Sequence, residues 1–247
     1  MHKFFTEDIN NVSARITGPD VKHAWKVLRL KAGDDVLVND LKGVDYFGRI
    51  SHVNKEEVLV ELTSKSDQSN ESPIKITVFQ GLPKGQKMDL IVQKLSELGA
   101  VRLVPMLTHR VVPEVRNSYK KLDRLRRISL EAGKQARRTC LLEVAEPIAI
   151  GDLSDEFKSL DLVIVPYEEM SGAGIRSIQP EVMAATKIGV VVGPEGGFEK
   201  SEIQWLKDQG ANIITLGPRI LRTETCALSV VSILQYIAGD MAGEEKE

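Results

Sequence analysis

Two short stretches carry the residue types that do chemistry. In Gly217-Pro-Arg-Ile-Leu-Arg-Thr-Glu-Thr225, the residues Arg219, Arg222, Glu224 and Thr225 lie within seven positions, beside a Gly-Pro stop and ahead of an apolar helical pattern. A fixed guanidinium can stabilise negative charge that develops during a reaction, and a neighbouring carboxylate can take a proton or orient the cation. Ionisable groups crowded onto one loop are candidates for such work, with a surface salt-bridge cluster as the competing explanation. The second stretch is Gly193-Pro-Glu-Gly-Gly-Phe198. Its glycines let backbone amides approach a ligand closely, and the helix pattern after it favours a negative group. Polyphosphate usually also needs Lys or Arg at such a turn. Glu195 stands there instead, which suits a ligand held by neutral edges and hydroxyls, one that can carry a positive centre.

These loops need strands to hold them. Ile188-Gly-Val-Val-Val192 and Ile213-Ile-Thr-Leu216 are short apolar runs that end in Gly-Pro, the pattern of buried strands stopped by turn chemistry. Two strand ends in succession, each followed by a helix, predict a crevice at the carboxyl edge of a parallel sheet, where open α/β sheets place their ligands. Upstream, Ile74–Phe79, Val101–Leu107 and Leu160–Val165 read as strands, and 87–98 and 119–138 as amphipathic helices. The long helix has an apolar stripe of Leu122, Leu125, Ile128, Ala132 and Ala136. Strands alternating with helices imply a parallel sheet covered on both faces.

The first 63 residues differ. Strand-like runs at 35–39, 45–50 and 57–62 follow a helical pattern at 20–30 that Asp20 can cap and Gly33 can end. This predicts a small β-barrel with one helix, a format often used to bind nucleic acid. The polar run 64–73, which ends in proline, marks the boundary, so the expected domains are 1–72 and 73–247.

Composition excludes several classes. Hydrophobic content of 42% and charged content of 28% are those of a globular protein. No apolar run approaches the roughly 20 residues that span a bilayer, and no signal segment is evident, so a cytoplasmic location is expected. Two cysteines and four scattered histidines give neither a disulfide framework nor a metal site. The 81–87 loop lacks the Gly-Lys-Ser/Thr ending of a phosphate loop. Net charge is −2, yet 109–138 holds ten Lys and Arg against Glu114, Asp123 and Glu131. Such a segment is the footprint of phosphate contact, or else a solvated helix face.

Val192-Gly-Pro-Glu-Gly-Gly-Phe198 with Glu202-Ile203, then Leu216-Gly-Pro-Arg-Ile-Leu-Arg-Thr-Glu-Thr225, resembles the RsmE family of 16S ribosomal RNA uridine N3-methyltransferases, within the SPOUT superfamily. The likeness extends to His23 with Val27-Leu-Arg-Leu30 and Gly33, to Lys87-Met-Asp89 with Gln93-Lys94 and Glu97-Leu-Gly99, and to Glu131-Ala132, Gln135 and Arg137. Lys3 stands where the family often has Arg, and Cys226 where it has Ala.

The resemblance implies a PUA-like barrel followed by a trefoil-knotted parallel sheet, a homodimer, and S-adenosylmethionine as cofactor with no metal. It implies that Val165, Pro166, Gly193, Gly196, Leu216, Gly217 and Leu221 bind the cofactor. Arg222 and Glu224 are the expected catalytic pair. His23, Arg29, Arg110, Gln135, Arg137 and Arg138 are the expected contacts to 16S RNA in the 30S subunit. A knotted methyltransferase acting on another RNA position, or a non-catalytic RNA-binding assembly protein, is the alternative.

Overall fold

The structure is a computed structural model that describes residues 1–67, 69–110 and 121–243. Glu114, Arg116, Tyr119 and Lys120 of the basic segment lie outside the described residues. The chain divides into two compact units: Met1–Glu71 with Gly133–Leu141, and Ser72–Ala132 with Leu142–Glu247.

In the first unit, β1 (His2–Phe5), β2 (Ser13–Ile16), α1 (Pro19–Lys22), β3 (Asp35–Asn39), β4 (Asp45–Val53) and β5 (Val58–Lys65) follow in order. The sheet runs β1-β3-β4-β5-β2 among the described residues. Residues after β1 turn back onto β2: Ile9 bridges Ala14, and Thr6 Oγ1 donates to the Arg15 carbonyl at 2.7 Å. The two edge strands are thereby tied together, closing the sheet as a small barrel does. Alternate residues such as Val36, Val38, Val58 and Val60 fill its core with Phe4, Ile16 and Ile50, as a period of two requires.

The helix departs from the expected form. It starts at Pro19 after Gly18, with no side-chain cap from Asp20. It then widens into a π-helical turn over His23–Val27 and stops at Arg29, whose φ is 55°. Asp20 instead pairs with Lys134 at 2.9 Å.

In the second unit the elements are β6 (Lys75–Gly81), α2 (Lys87–Glu97), β7 (Arg102–Leu107), α3 (Leu122–Gln135), β8 (Glu143–Val144), β9 (Ile148–Ala149), α4 (Leu153–Phe157), β10 (Leu162–Pro166), α5 (Gln179–Ala184), β11 (Lys187–Val192), α6 (Lys200–Asp208), β12 (Asn212–Ile214) and α7 (Thr223–Ile237). The described sheet runs β12-β10-β11-β6-β7-β8, with β9 also on β7. Every pairing in it is parallel.

Strand alternation divides the core. Ile76, Val78, Ile188, Val190 and Val192 face one way, against Ile91 and Leu95 of α2 and Val230, Val231 and Leu234 of α7. Phe79, Val163, Val165 and Val191 face the other, against Phe157 of α4 and Ile203 and Leu206 of α6. Helices on both faces keep the central strands β6, β10 and β11 dry, which is why these runs are almost continuously apolar. Helix α3 buries Leu122, Leu125 and Ala132, but ends at Gln135, three residues short of the expected 138. Arg137, with φ 56°, has already left the helical region. Among the described residues no helix is long and apolar enough to cross a membrane.

Candidate active site

The carboxyl ends of β6, β10, β11 and β12 converge in the second unit, because β11 lies between β6 and β10 while β12 flanks β10 on its other side. Close packing of backbone makes this possible. A Cβ at Gly81, the last residue of β6, would stand 2.6 Å from the nitrogen of Pro194. The 193–194 peptide therefore lies directly against the end of β6, which only glycine permits.

One side chain connects the two loops. Thr223 opens α7, and a hydroxyl at a helix start usually caps the helix. Here Thr223 Oγ1 donates to the Gly193 carbonyl at 2.6 Å and accepts from Gln80 Nε2 at 2.8 Å. Arg222 is the N-cap residue of α7, with extended backbone and no side-chain cap.

The acidic residue of the 193–197 turn is held by cationic and amide partners. The Lys84 amide donates to both Glu195 oxygens at 3.1 and 3.2 Å, and Lys87 Nζ donates at 2.9 Å. Burial works to raise the Glu195 carboxyl, but the Lys87 ammonium, its own backbone amide and the Lys84 amide hold it below the ordinary carboxylate range. The hydrogen bond to Glu195 in turn raises the Lys87 ammonium above its usual value. Lys87 Nζ also lies 3.6 Å from Glu224 Oε2. That oxygen is buried and makes no hydrogen bond, so it is a free acceptor beside a cation.

The turn is braced from its far side. Arg110 Nε donates to Glu199 Oε1 at 2.7 Å and Nη1 to the Gly196 carbonyl at 2.6 Å. Glu199 caps α6 in a reciprocal box with Glu202. Glu202, 3% exposed, also accepts from the His109 amide at 2.9 Å.

Two clefts open on this arrangement. One, of about 370 Å³, is walled by Leu216, Gly217, Pro218, Arg219 and Thr215. The other, of about 300 Å³, is walled by Gly193, Pro194, Glu195, Lys87 and Arg222. Pro166, Glu168, Ile220, Leu221 and Cys226 line both. Burial first, and the charge of Glu168 second, push the Cys226 thiol up to about 12, so it stays neutral at physiological pH.

Of the residues singled out in the sequence, Pro166, Gly193, Leu216, Gly217, Leu221 and Arg222 line these clefts. Val165 is fully buried beneath Pro166, and Gly196 faces Arg110 rather than the cleft, its missing Cβ 3.2 Å from Arg110 Cβ. Glu224 joins the group through Lys87. His23, Arg29, Arg110, Gln135 and Arg137 are exposed. Arg138 is not: it is 3% exposed, with its guanidinium on Glu71 at 2.5 Å. Its donors serve the half-buried carboxylate of Glu71 within the same unit. Among the described residues no group of three or more His, Cys, Asp or Glu could hold a metal ion.

Sequence reasoning passed over Glu168, Gln80 and Thr223 and gave Lys87 no chemical role. Thr223 alone had a signal, as a small polar residue between the two charged ones of the second loop.

Comparison with known proteins agrees with this layout. Residues 70–235 match an RNA methyltransferase domain family, and residues 16–63 match an RNA methyltransferase PUA domain. The chain is 32% identical to ribosomal RNA small subunit methyltransferase E of Bacillus subtilis over 93% of its own length and 92% of that protein's. It is 32% identical to the Aquifex aeolicus protein of the same name over 95% and 99%. A crystal structure of the Neisseria gonorrhoeae protein of that name, bound to S-adenosyl methionine, superposes with a TM-score of 0.82 at 28% identity, covering 97% of this chain and 99% of that one. On this fold, these paired loops and this likeness over nearly its whole length, the chain belongs to the ribosomal RNA small subunit methyltransferase E family.

Proposed function

We propose that this protein transfers a methyl group from S-adenosylmethionine to N3 of one uridine in 16S RNA of the small ribosomal subunit. The observation that carries the reading is the pair of adjoining clefts. One is walled largely by loop backbone and apolar groups with Arg219 and Glu168 on it; the other presents Arg222 and Lys87, with Glu224 3.6 Å from Lys87.

The residues present fit the cofactor. Loop 215–221 and Pro166 offer carbonyls, amides and aliphatic carbon to an adenosine, while Glu168 offers negative charge to a cation. In the family's fold these loops belong to a trefoil knot, and the contact of Gly81 with the 193–194 peptide suits such a threaded chain. When bound, S-adenosylmethionine supplies a methyl group on a positively charged sulfur.

The chain's own residues do the rest. N3 of uridine carries a weakly acidic proton and becomes a good nucleophile only when that proton leaves. Arg222 stabilises the charge that then spreads onto the uracil oxygens, as a fixed cation does in a site shielded from water. Glu224 accepts the proton, its free buried oxygen being held ready by Lys87. N3 lies on the pairing edge of the base, so the target uridine must be unpaired or flipped out.

RNA is held by His23, Arg29, Gln135 and Arg137 on the first unit and by Arg110 on the second, while Arg138 is held by Glu71 within the first unit. The reading includes a cytoplasmic location and a homodimer. Tyr236 and Ile233 on α7 and Ile220 on the second loop are 66%, 37% and 85% exposed. Large apolar groups left open in this way suit a second copy. Calorimetry with S-adenosylmethionine tests the reading: saturable one-site binding is expected, and no binding would leave only a non-catalytic RNA-binding role.

A further inference from the structure

The clefts share five lining residues, and four of them, Pro166, Ile220, Leu221 and Cys226, carry no charge. The fifth is Glu168. Its carboxylate is seated against the first loop: a Cβ on Gly197, whose φ is 67°, would stand 2.5 Å from Glu168 Oε1. Glycine at 197 therefore both makes the turn and leaves room for that carboxylate.

Glu168 forms no hydrogen bond or ion pair with another described residue, whereas the three acids of the first loop and the start of α6 are engaged. Glu195 is held by Lys87, Glu199 by Arg110, and Glu202 by two backbone amides. Arg110, whose guanidinium feels the charge of Glu168, hydrogen-bonds to Glu199 and the Gly196 carbonyl instead. The charge of Glu168 reaches the thiol of Cys226 between the clefts, where it helps to hold that group protonated. A carboxylate bound directly by no described side chain thus lines both clefts.

We propose that Glu168 is a specificity-determining residue that recognises the sulfonium charge of the cofactor. The inference rests on the cofactor reading given above. If the adenosine occupies the first cleft and the uridine the second, the group that passes between them is the methyl-bearing sulfur, and Glu168 is the charged side chain common to both walls. On transfer the methyl carbon bonds to N3 and the carbon–sulfur bond breaks. Its electron pair stays on sulfur, which becomes a neutral thioether. Glu168 therefore favours the charged methyl donor over the spent product. Because it holds the ground state, it acts on binding rather than on the chemical step.

The test is calorimetry of full-length wild type, Glu168→Gln and Glu169→Gln with S-adenosylmethionine and with S-adenosylhomocysteine. The two ligands share the ammonium, carboxylate and adenosine and differ in the sulfonium charge. Glu168→Gln is expected to weaken S-adenosylmethionine binding about five- to tenfold, the scale of one partly solvated ion pair. It should leave the homocysteine compound within about twofold, and thermal unfolding should show the variant folded. Glu169→Gln, which removes an equal charge from a residue that lines neither cleft, should change neither affinity. In turnover, Glu168→Gln should raise the cofactor KM without lowering kcat.

Equal weakening of both ligands would overturn the proposal, since it would place the carboxylate on the shared ammonium. No change in either ligand would overturn it too. Wild-type protein that bound neither compound would overturn the cofactor reading itself, and the Glu168 proposal with it.

Discussion

The Thr223 hydroxyl lies 2.6 Å from the Gly193 carbonyl, thirty residues away in sequence, and it joins the two loops that line the clefts. Because Gln80 Nε2 donates to the same hydroxyl, the end of β6, the first loop and the start of α7 share one small polar network in an otherwise dry region. Thr223→Val keeps the shape but removes the donor to the Gly193 carbonyl and one of the two acceptors of Gln80 Nε2, which keeps the Gly81 carbonyl. It is expected to lower stability by about 1–3 kcal/mol in denaturant unfolding and to weaken cofactor binding. Thr223→Ser should restore most of both. A Val variant as stable as wild type would show that the network is dispensable.

Arg222→Ala should reduce the rate of methyl transfer about 100- to 1,000-fold, the usual consequence of losing one fixed charge stabiliser. S-adenosylmethionine affinity should stay within about twofold. Single-turnover kinetics with cofactor saturating separates the two. Loss of binding with an unchanged chemical step would assign Arg222 to the cofactor.

Lys87 couples Glu195 to Glu224, and its loss should be visible in the pH dependence of stability. The folded Glu195 carboxyl holds its proton less tightly than the unfolded one. Its contribution is therefore complete above the unfolded carboxyl pKa and is lost as pH falls through the lower, folded value. Lys87→Met should remove part of that contribution, so that the variant and wild type differ at neutral pH and converge in acid. A gap that widened toward low pH would contradict this.

Much of this site was legible because its strands are plain apolar runs and its turns are Gly-Pro. The alternation of Val190, Val191 and Val192 places neighbours on opposite faces of the sheet, and the Leu, Val and Ile spacing of α7 follows the helical period. What the chain does across long separations was not legible. Nothing local to Arg138 announces that its partner is Glu71, sixty-seven residues earlier, or that 133–141 packs with the first unit. The π-helical turn at 23–27 has the same apolar spacing as an α-helix, so periodicity cannot separate them. Nothing in the sequence separates Glu168 from its neighbour Glu169. Its meaning depends on Gly197 and Cys226, which reach it only through the order of strands in the sheet.

Arg138 and Arg137 offer a contrast between structural and binding cations in adjacent positions. Arg138→Met takes the cation from half-buried Glu71, which keeps only the Thr139 and Cys140 amides, and should cost about 1–3 kcal/mol of stability. Arg137→Ala should leave stability nearly unchanged and reduce the salt dependence of RNA binding by about one phosphate contact. Measuring unfolding and RNA affinity against salt concentration for both variants checks the pair. Equal stability losses would contradict the distinction.

The central claim is methyl transfer to a uridine of the small subunit. Small subunits purified from a strain that lacks the activity, incubated with this protein and S-adenosylmethionine, give the direct test when 16S RNA is digested and the modified nucleotide mapped by mass spectrometry. The account predicts a single 3-methyluridine at one position, absent with Arg222→Ala. A methyl group on another base or atom, or no transfer by protein that binds the cofactor, would contradict it.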